Sequence, residues 1–418
     1  MIGIIGCGAS GMMAAVMAAR NGIPVTVLEH NDKPGKKLLA TGNGKCNLLN
    51  DNQDIRCFRG HDRASIGKVL QAFTKEDELS VFREIGLLTK NKNGYYYPRS
   101  EQAASVVNCL YEEMNRLRIR VLYGFDVRSV RHRKGEFLVT GSCQGEPAEC
   151  RFSEIILACG GLAGKNLGES SVGWDIAKSM GHTVSPCTPA LVPLCLAEKK
   201  LKTVSGVRTE ALVTVICGTE KQSEFGEIVW TDYGISGIPV MQLSRYASIA
   251  LAEHKNARIQ LNFLPEMTKD DVTAMLKQRC LSPFLGERTA EAAFGGILPG
   301  KLLYFLLCKA GIPADGIARG IRDEQIDKLS QMMTEITFDI TGTRAYEFAQ
   351  VTCGGVSLSE INPETMESKL RKGLYITGEL LDMDGTCGGY NLQWAFATGA
   401  IAGRSIRDEV VEQPERNH

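Results

Sequence analysis

The sequence predicts an α/β protein in which one discontinuous domain is interrupted by an inserted domain. Two observations predict this arrangement. A short apolar strand, a glycine-rich loop and a helix occur at residues 1–20 and again at residues 373–407. Between about residue 190 and residue 340 the chain instead shows alternating strands and then helices. A chain of 418 residues is long enough for two or three domains of ordinary size.

The first part of the chain begins with a βαβ unit. Met1–Ile5 and Pro24–Leu28 are apolar runs typical of buried strands, and Met12–Arg20 between them is an alanine-rich helix. Lys33–Asn50 is rich in Gly, Lys and Asn, which is typical of a functional loop. The other elements predicted here are the helices Ile66–Gly86 and Ser100–Leu117 and the strands Val121–Tyr123, Phe137–Thr140 and Glu154–Ala158.

The pattern changes after Pro189. Alternation of apolar and polar residues predicts antiparallel strands at Leu191–Leu196, Glu210–Cys217 and Glu227–Thr231. Helical spacing follows at Met267–Lys277, Gly300–Lys309 and Ile326–Met333, and strands return at Ile336–Asp339 and Phe348–Cys353. The chain is then expected to close with a buried strand, Gly373–Thr377, a glycine-rich loop, and a helix, Asn391–Arg407.

The overall composition excludes several classes of protein. Hydrophobic residues make up 44% and charged residues 23%, which excludes a largely disordered chain. The 48 basic residues balance the 48 acidic ones, which argues against a general polyanion binder. Glycine is in excess, at 44 residues against about 29 expected from an average usage near 7%. The clustered glycines suggest backbone held close to a ligand.

The cysteines, histidines and apolar runs indicate whether a metal site is expected and in which cellular compartment the protein works. The fourteen cysteines include no Cys-x-x-Cys, so we expect most of them to be small buried residues in a reducing cytosol. The six histidines form no i, i+4 pair, so no metal site is expected. The apolar start lacks a basic segment, and the longest later apolar run, Leu302–Cys308, is too short to span a bilayer. We therefore expect a cytoplasmic protein without membrane association.

The N-terminal loop matches the pattern of a dinucleotide-binding site. Gly6, Gly8 and Gly11 follow a strand and open a helix, and Glu29 ends the next strand. In this pattern the first glycine permits a tight turn, the second admits a pyrophosphate and the third allows the helix to pack on the strand. The helix N-terminus attracts phosphate, and Glu29 could accept hydrogen bonds from ribose hydroxyls. These residues predict a bound dinucleotide.

Two further glycine-rich segments favour FAD over NAD, because a flavin must be held along its whole length. One segment covers residues 35–47, and the other combines 377–379 with 385–391. The second segment leads into the last helix, whose free N–H groups could face the N1–C2=O edge of a flavin and stabilise its reduced form.

At these residues the chain resembles a family of bacterial flavoproteins that includes bile-acid ene-reductases and ribosomal RNA dihydrouridine synthases. The matching segments are 35–47, 232–237, 353–356 and 384–394. The resemblance implies a two-dinucleotide-binding-fold flavoprotein. Its Rossmann-like FAD domain would cover 1–189 and 341–418. An inserted antiparallel β-barrel domain would cover 190–265, and a helical domain 266–340.

The resemblance also implies which residues line the FAD. Lys45 stands where the family usually has Arg, and Thr386-Cys387 where Pro-Thr is usual. The residues implied to bind FAD are Gly6, Gly8, Ala9, Ser10, Gly11, Glu29, Lys37, Gly44, Lys45, Cys46, Asn47, Gly378, Glu379, Gly388, Gly389, Asn391 and Leu392.

The expected chemistry is reduction of a conjugated C=C bond. Reduced FAD delivers hydride to the β carbon, and an acid protonates the α carbon. The candidate acids are Tyr390, Cys387 and Tyr233, with Cys46 as a further thiol in the first flavin segment. Only one dinucleotide motif is present, so NAD(P)H is expected to bind transiently as electron donor. Tyr95-Tyr96-Tyr97 could stack on a flat substrate or form a half-buried strand.

Three functions remain open at this point. The first is an ene-reductase for an apolar enone, with a 3-oxo-Δ4 or Δ4,6 steroid or bile-acid intermediate as the leading case. The second is a ribosomal RNA dihydrouridine synthase, for which a basic surface is needed. The third is a flavin-binding sensor without turnover. The residues that could build a basic surface are Arg116, Arg118, Arg120, the run 128–134, Lys199, Lys200 and Lys202.

Overall fold

The computed structural model describes residues 1–164 and 170–406, and the chain divides into two compact units. The first unit consists of Met1–Cys187 and Val351–His418, and the inserted unit is Thr188–Gln350. The predicted division of the insertion at residue 265 stays a prediction.

The strands in the described ranges are, in chain order, β1 (Ile2–Ile5), β2 (Val25–Glu29), β3 (Leu49–Asn50), β4 (Phe58–Arg59), β5 (Thr89–Lys92), β6 (Tyr95–Pro98), β7 (Arg120–Tyr123), β8 (Phe125–Arg133), β9 (Glu136–Cys143), β10 (Glu146–Phe152), β11 (Glu154–Leu157), β12 (Thr188–Ala190), β13 (Leu194–Leu196), β14 (Arg208–Cys217), β15 (Glu220–Trp230), β16 (Gly234–Gly237), β17 (Ala257–Asn262), β18 (Ile336–Thr343), β19 (Val351–Cys353), β20 (Leu374–Ile376) and β21 (Asp384–Gly385).

The α-helices of the same ranges are α1 (Ala9–Arg20), α2 (Lys36–Ala40), α3 (Arg63–Ala72), α4 (Lys75–Glu84), α5 (Ala103–Arg116), α6 (Val172–Ser179), α7 (Ile238–Ala252), α8 (Lys269–Leu281), α9 (Ala290–Phe294), α10 (Gly300–Ala310), α11 (Asp323–Thr334) and α12 (Tyr390–Ser405). Of these described helices, none combines the length and the apolar character needed to cross a membrane.

A parallel five-stranded sheet, in the order β20-β11-β1-β2-β7, organises the first unit. The register of its centre sets Ile2 opposite Val25 and Ile5 opposite Leu28. Every residue of β1 and β2 is buried, as expected for strands covered on both faces, and this explains their continuous apolar runs. The sheet places the glycine-rich loops at the carboxyl ends of β1, β11 and β20 near one another.

The first and last helices of this unit pack backbone to backbone. A Cβ added at Gly399 of α12 would overlap the Ser10 carbonyl oxygen, and one added at Gly403 would overlap that of Ala14 in α1. Two glycines four residues apart lie on one helix face and let the two axes approach closely. This contact joins the two strand–loop–helix segments predicted from opposite ends of the chain.

An antiparallel meander of β8, β9 and β10 also belongs to the first unit. Arg131, Arg133 and Arg151 line a shallow pocket on it, together with Glu136 and Leu138. The basic run predicted at 128–134 therefore lies mainly on one strand and its turn.

A closed six-stranded barrel forms the inserted unit, in the order β13-β16-β15-β14-β17-β18, with the antiparallel pairing that the alternating residues predicted. Its core contains Trp230, whose ring lies 5.8 Å from Phe338 and 6.2 Å from Phe305. Helices α7 to α11 belong to the same unit. The predicted fold class, a Rossmann-like domain with an inserted barrel and helices, is confirmed.

Several local predictions differ from the structure. Of the strand predicted at Leu191–Leu196, only Leu194–Leu196 forms a strand, β13. The single helix predicted at Ile66–Gly86 is two helices, because Thr74 caps α4 through a capping box with Asp77. The loop predicted at Lys33–Asn50 contains α2 and the short strand β3. The strand predicted at Phe348–Cys353 is shorter, since a 3-10 turn ends at Phe348 before β19. Position 407 of the predicted last helix lies outside the described residues.

Candidate functional site

The N-terminal glycine loop has the geometry of a phosphate cradle. Gly6 has a φ of 104°, and a Cβ there would overlap the Ala158 carbonyl. A Cβ on Gly11 would overlap the Gly6 carbonyl oxygen, so the start of α1 lies directly on the loop. At Gly8 an added Cβ would meet nothing within 4 Å among the described residues. The loop is therefore closely packed at Gly6 and Gly11 and open at Gly8, just before the helix N-terminus formed by Ala9 and Ser10. This open space next to free N–H groups fits a pyrophosphate.

Glu29 lies at the end of β2 and holds this loop in place. Its buried carboxylate accepts hydrogen bonds from the Cys7 N–H at 2.6 Å and from the backbone and side chain of Asn31 at 2.7 and 2.8 Å. Lys36 Nζ donates to the Asn31 side chain at 3.2 Å. The carboxylate thus has a positioning role within the protein that the sequence did not predict, and its predicted contact with a ribose remains a prediction.

A second network surrounds Lys37, whose ammonium lies 2.7 Å from the Glu379 carboxylate. The other oxygen of Glu379 accepts from the Thr352 N–H at 2.8 Å, and the Thr352 hydroxyl accepts from the Leu162 N–H at 2.9 Å. Two residues predicted to bind FAD from distant segments are therefore in direct contact. Sequence reasoning missed Thr352, which connects them to the loop after β11.

The first flavin segment is shaped by left-handed backbone. Gly44 and Cys46 have φ values of 80° and 57°. Burial raises the pKa of the Cys46 thiol to about 12, so it stays protonated at neutral pH. Lys45 Nζ lies 3.6 Å from the Glu101 carboxylate. The Asn47 amide, oriented to satisfy its neighbours, donates to the carbonyl oxygens of Leu49 and Tyr96. The side chains of Lys45 and Asn47 thus support the loop itself.

Gly378 belongs to the second segment and lies against the start of α1. An added Cβ would be 2.7 Å from the Ser10 hydroxyl. Its N–H donates to the Thr398 hydroxyl at 2.9 Å, and its carbonyl accepts from the Trp394 indole at 3.1 Å. Both α1, through Ser10, and α12, through Trp394 and Thr398, therefore contact Gly378.

The loop before α12 is closed by Asn391. Its side chain accepts from the Gly385 N–H at 2.7 Å and donates to the Gly385 carbonyl at 3.0 Å. Gly388 accepts from the Asn50 amide at 3.1 Å, and a Cβ on Gly389 would lie 2.8 Å from the Leu49 backbone.

The first turn of α12 follows this loop. The Leu392 N–H donates back to the Gly389 carbonyl at 3.0 Å. By the geometry of a helix start, the N–H groups of Tyr390 and Asn391 have no partner inside the helix, so this end favours negative charge.

The three candidate acids occupy different surroundings. Tyr390 is buried, and its ring meets Phe58 edge to face at 5.1 Å. Burial and a hydrogen bond to Cys57 raise the Tyr390 pKa, so its hydroxyl keeps its proton. Cys387 is half-buried in the loop before α12. Tyr233 belongs to the inserted unit, before β16. Tyr390 and Cys387 therefore share the first unit with the glycine loops, and Tyr233 does not.

The tyrosine cluster and the cysteines also have defined places. Tyr95, Tyr96 and Tyr97 lie on β6, a partly exposed strand, which was one of the two predicted alternatives. The Tyr96 hydroxyl donates to Asp51 at 3.0 Å. The fourteen cysteines all fall within the described residues, and none of them forms a disulfide. Four are buried, nine are half-buried and one is exposed, so the expectation that most of them are buried is wrong.

Comparison with known proteins relates this geometry to a family. The model of the HI0933-like protein Rossmann domain matches residues 1–405. The 3-dehydro-bile acid delta(4,6)-reductase of Clostridium scindens is 42% identical over 413 residues, which are 97% of this chain and 99% of that protein. The ribosomal RNA dihydrouridine synthase of Haemophilus influenzae is 30% identical over 405 residues, 96% and 97% of the two chains.

A solved structure supports the same architecture. The 3-ketosteroid-delta4-(5alpha)-dehydrogenase of Rhodococcus jostii RHA1, in complex with 4-androstene-3,17-dione, aligns with a TM-score of 0.50 at 14% identity. The alignment covers 97% of this chain and 96% of that one, and at this identity it shows a shared fold. Because the family model extends over nearly the whole chain, the protein belongs to the HI0933-like protein Rossmann domain family.

Proposed function

We propose that this protein is an FAD-dependent oxidoreductase that reduces the conjugated C=C bond of a steroid or bile-acid enone, with NAD(P)H as electron donor. One observation carries the proposal: the 42% identity with a bile-acid delta(4,6)-reductase extends over almost all of both chains. The relatives that act on ribosomal RNA are 30% and 29% identical over similar lengths.

The glycine loops support FAD as the cofactor. Gly8 leaves open space at the N-terminus of α1, where backbone N–H groups and the helix dipole would hold the pyrophosphate. The Lys37–Glu379 pair and the first turn of α12 would hold the rest of the cofactor. FAD, when bound and first reduced by NAD(P)H, would supply the hydride that a conjugated C=C bond accepts.

The protein must also supply one proton to the α carbon. A donor has to be protonated at working pH, and a tyrosine hydroxyl meets this condition at its ordinary pKa. The burial of Tyr390 raises that pKa further, so the argument for this residue rests on its position at the start of α12 and not on its acidity. Tyr390 starts the helix whose N-terminus favours negative charge, so a proton donor and an electropositive helix end lie next to each other in the chain. We therefore propose Tyr390 as the leading donor among the three candidates, ahead of Cys387 and Tyr233.

A ribosomal RNA substrate is the second candidate function. The arginine-lined pocket on the meander favours it, since guanidinium groups bind phosphate well. Acidic residues lie among these arginines, and Arg151 is paired with Glu149 at 2.9 Å. This pairing weakens the attraction of the surface for a polyanion, so the enone remains the better supported substrate.

The decisive experiment uses the purified flavin-loaded protein without oxygen. NADH and NADPH are tested separately for bleaching of the flavin absorbance. A 3-oxo-Δ4 steroid, the corresponding saturated 3-oxosteroid and unmodified ribosomal RNA are then offered to the reduced protein. We expect reoxidation by the unsaturated steroid alone.

Each other result has a distinct meaning. Reoxidation by RNA and not by the steroid would replace the proposal with the second candidate. Absence of bleaching by both nucleotides would contradict NAD(P)H as donor. Bleaching without reoxidation by any acceptor would favour the non-catalytic sensor.

A further inference from the structure

One face of a small sheet in the first unit combines aromatic rings with lysines. The sheet has the order β3-β6-β5, and residues directly opposite each other in an antiparallel pair point to the same side. Tyr95 of β6 lies opposite Lys92 of β5 and Asn50 of β3, and Tyr97 lies opposite Lys90. We call these five side chains the Tyr95 face.

The Tyr95 face adjoins the loop before α12. The Asn50 amide donates to the Gly388 carbonyl at 3.1 Å. A Cβ added to Gly388 would lie 3.3 Å from the Tyr95 ring and 3.1 Å from the Tyr390 ring, so both rings lie close to this glycine. Tyr95 is nevertheless 41% exposed. The face therefore offers an accessible aromatic ring beside the loop that is proposed to bind the flavin.

Positive charge collects around this face. Lys90 forms an ion pair with Glu101, and Lys45 Nζ lies 3.6 Å from the same carboxylate. A hydrogen bond from Lys90 and its charge, followed by the charges of Lys45 and Lys92, hold the pKa of Glu101 below its usual range. Three ammonium groups thus act on one carboxylate, and Lys92 is exposed. Such surroundings attract a ligand that carries negative charge.

We propose that the Tyr95 face binds NAD(P)H, with an aromatic ring of the nucleotide stacked on Tyr95 and its phosphates close to Lys90 and Lys92. This inference rests on the proposed function and adds to it the place where the electron donor binds. A nucleotide combines flat rings with phosphates, which stacking and ammonium groups recognise respectively. Cross-strand neighbours start roughly 5 Å apart, so Tyr95 and Lys92 can contact adjacent parts of one nucleotide.

The position of the face suits an electron donor. One hydride passes from the nicotinamide to the flavin, which leaves NAD(P)⁺ and the anionic reduced flavin, so the two rings have to meet. Tyr95 meets this requirement because it lies close to Gly388. The sequence predicts the three tyrosines of β6 as a stacking platform or a half-buried strand. The strand is half-buried, and Tyr95 keeps a ring accessible for stacking.

Binding can be measured by calorimetry in the flavin-loaded full chain, with NADP⁺ and NAD⁺ as probes that cannot reduce the flavin. We expect Tyr95→Leu to raise the Kd of the better-bound nucleotide about 5- to 100-fold, the range for losing a base stacked on an aromatic ring. Tyr95→Phe keeps the ring and should bind as the native chain does. Lys92→Met should raise the Kd about 2- to 5-fold, and this loss should shrink as ionic strength rises.

Two matched variants control for damage to the sheet and for net charge. Tyr96→Leu removes a ring from the opposite side of the same strand. Lys75→Met removes a lysine that lies 3.0 Å from Asp51, the carboxylate to which the Tyr96 hydroxyl donates. Both variants should leave the Kd unchanged. If Tyr95→Leu loses its flavin, the comparison of Lys92→Met with Lys75→Met decides the question.

The two half-reactions separate this inference from the proposed function. In anaerobic stopped flow, Tyr95→Leu should raise the NAD(P)H concentration that gives half-maximal flavin bleaching. Reoxidation of the dithionite-reduced variant by a 3-oxo-Δ4 steroid should keep its native rate. Unchanged nucleotide affinity and unchanged bleaching in Tyr95→Leu would overturn the inference and leave the proposed function intact.

The remaining outcomes also decide against the inference. Slower reoxidation by the steroid, with nucleotide binding unchanged, would assign the Tyr95 face to the substrate. A weakened affinity of Tyr95→Leu for an RNA oligonucleotide alone would assign the face to RNA. If the native protein neither binds nor is bleached by the nucleotides, this inference fails together with NAD(P)H as donor, whereas reoxidation of the dithionite-reduced protein by the steroid still supports enone reduction.

Discussion

The backbone contact between α1 and α12 makes Gly399 a sensitive position for both stability and cofactor binding. A Cβ at Gly399 would overlap the Ser10 carbonyl oxygen and would lie 3.0 Å from both the carbonyl carbon and the Cα of Ser10. Ordinary van der Waals contacts begin at 3.4 Å, so Gly399→Ala requires one helix to move. Ser10 lies one residue before Gly11, so that movement displaces the phosphate cradle.

The size of the effect follows from two opposing terms. Replacing glycine by alanine inside a helix stabilises it by about 1 kcal/mol, because alanine loses less backbone entropy. Overpacking a rigid contact costs about 1–3 kcal/mol, and the upper end applies here since the clash is with backbone rather than with a flexible side chain. We expect Gly399→Ala to lower the free energy of unfolding by up to about 2 kcal/mol. The affinity for FAD should fall with it.

A matched control lies in α3. Gly67 is also inside a helix, and a Cβ there would meet no described atom within 4 Å, so Gly67→Ala should stabilise the protein by up to about 1 kcal/mol. The assay is thermal unfolding followed by circular dichroism, with flavin fluorescence to record cofactor release and titration of the apoprotein with FAD. If Gly399→Ala matched Gly67→Ala in melting temperature and bound FAD as the native chain does, the close packing of α1 on α12 would be refuted.

Three further predictions concern single side chains. Lys37→Met leaves the carboxylate of Glu379 without its cation and should weaken FAD binding about 3- to 10-fold while changing stability by less than about 1 kcal/mol; an unchanged Kd for FAD would contradict the role of the pair. Burial raises the pKa of Glu78 well above its ordinary value, and its carboxyl oxygens have no hydrogen-bond partner among the described residues, so Glu78→Met should stabilise the protein by about 1–3 kcal/mol. With Glu78 present, the raised pKa makes the native chain lose stability as the pH rises above 4.5. The stability gained by Glu78→Met, measured by chemical denaturation, should therefore be larger at pH 8 than at pH 5. A Glu78→Met variant that is less stable than the native chain at both pH values would contradict this prediction. Tyr390→Phe should lower kcat at least about 100-fold without slowing flavin bleaching by NAD(P)H, whereas Tyr375→Phe, a second buried tyrosine, should leave kcat unchanged; equal effects of the two would exclude Tyr390 as the proton donor.

Local patterns explain which parts of the structure were predictable. The βαβ unit is contiguous, so the strand Ile2–Ile5, the glycine loop and the helix can each be inferred from their own residues. The same holds for the alternating strands of the barrel. The break between α3 and α4 could also have been found locally, since Thr74 followed three residues later by Asp77 is a capping pattern. Helical spacing alone predicts one helix here, but the capping box at Thr74 starts a new one.

The roles of the site residues depend on contacts that no local pattern specifies. Glu29 is predicted to bind a ribose, yet its carboxylate also accepts a hydrogen bond from the Cys7 N–H. This contact joins the end of β2 to the loop after β1. The Lys37–Glu379 pair joins segments far apart in the chain, and each residue alone suggests only a charged loop position. Resemblance to a family named both residues, but it could not state that they touch each other.

The excess of glycines has two different explanations in the structure. The sequence predicts that the excess glycines lie against a ligand, and the open surroundings of Gly8 agree with that prediction. Gly399 and Gly403 serve a different purpose, since both positions are closed by the backbone of α1. Their spacing of four residues marks a packing face of α12, but a spacing cannot name the partner helix. Because α1 begins at the glycine loop, the packing of these two glycines on α1 should couple α12 to cofactor binding, and both should tolerate substitution less than Gly8 does in stability measurements.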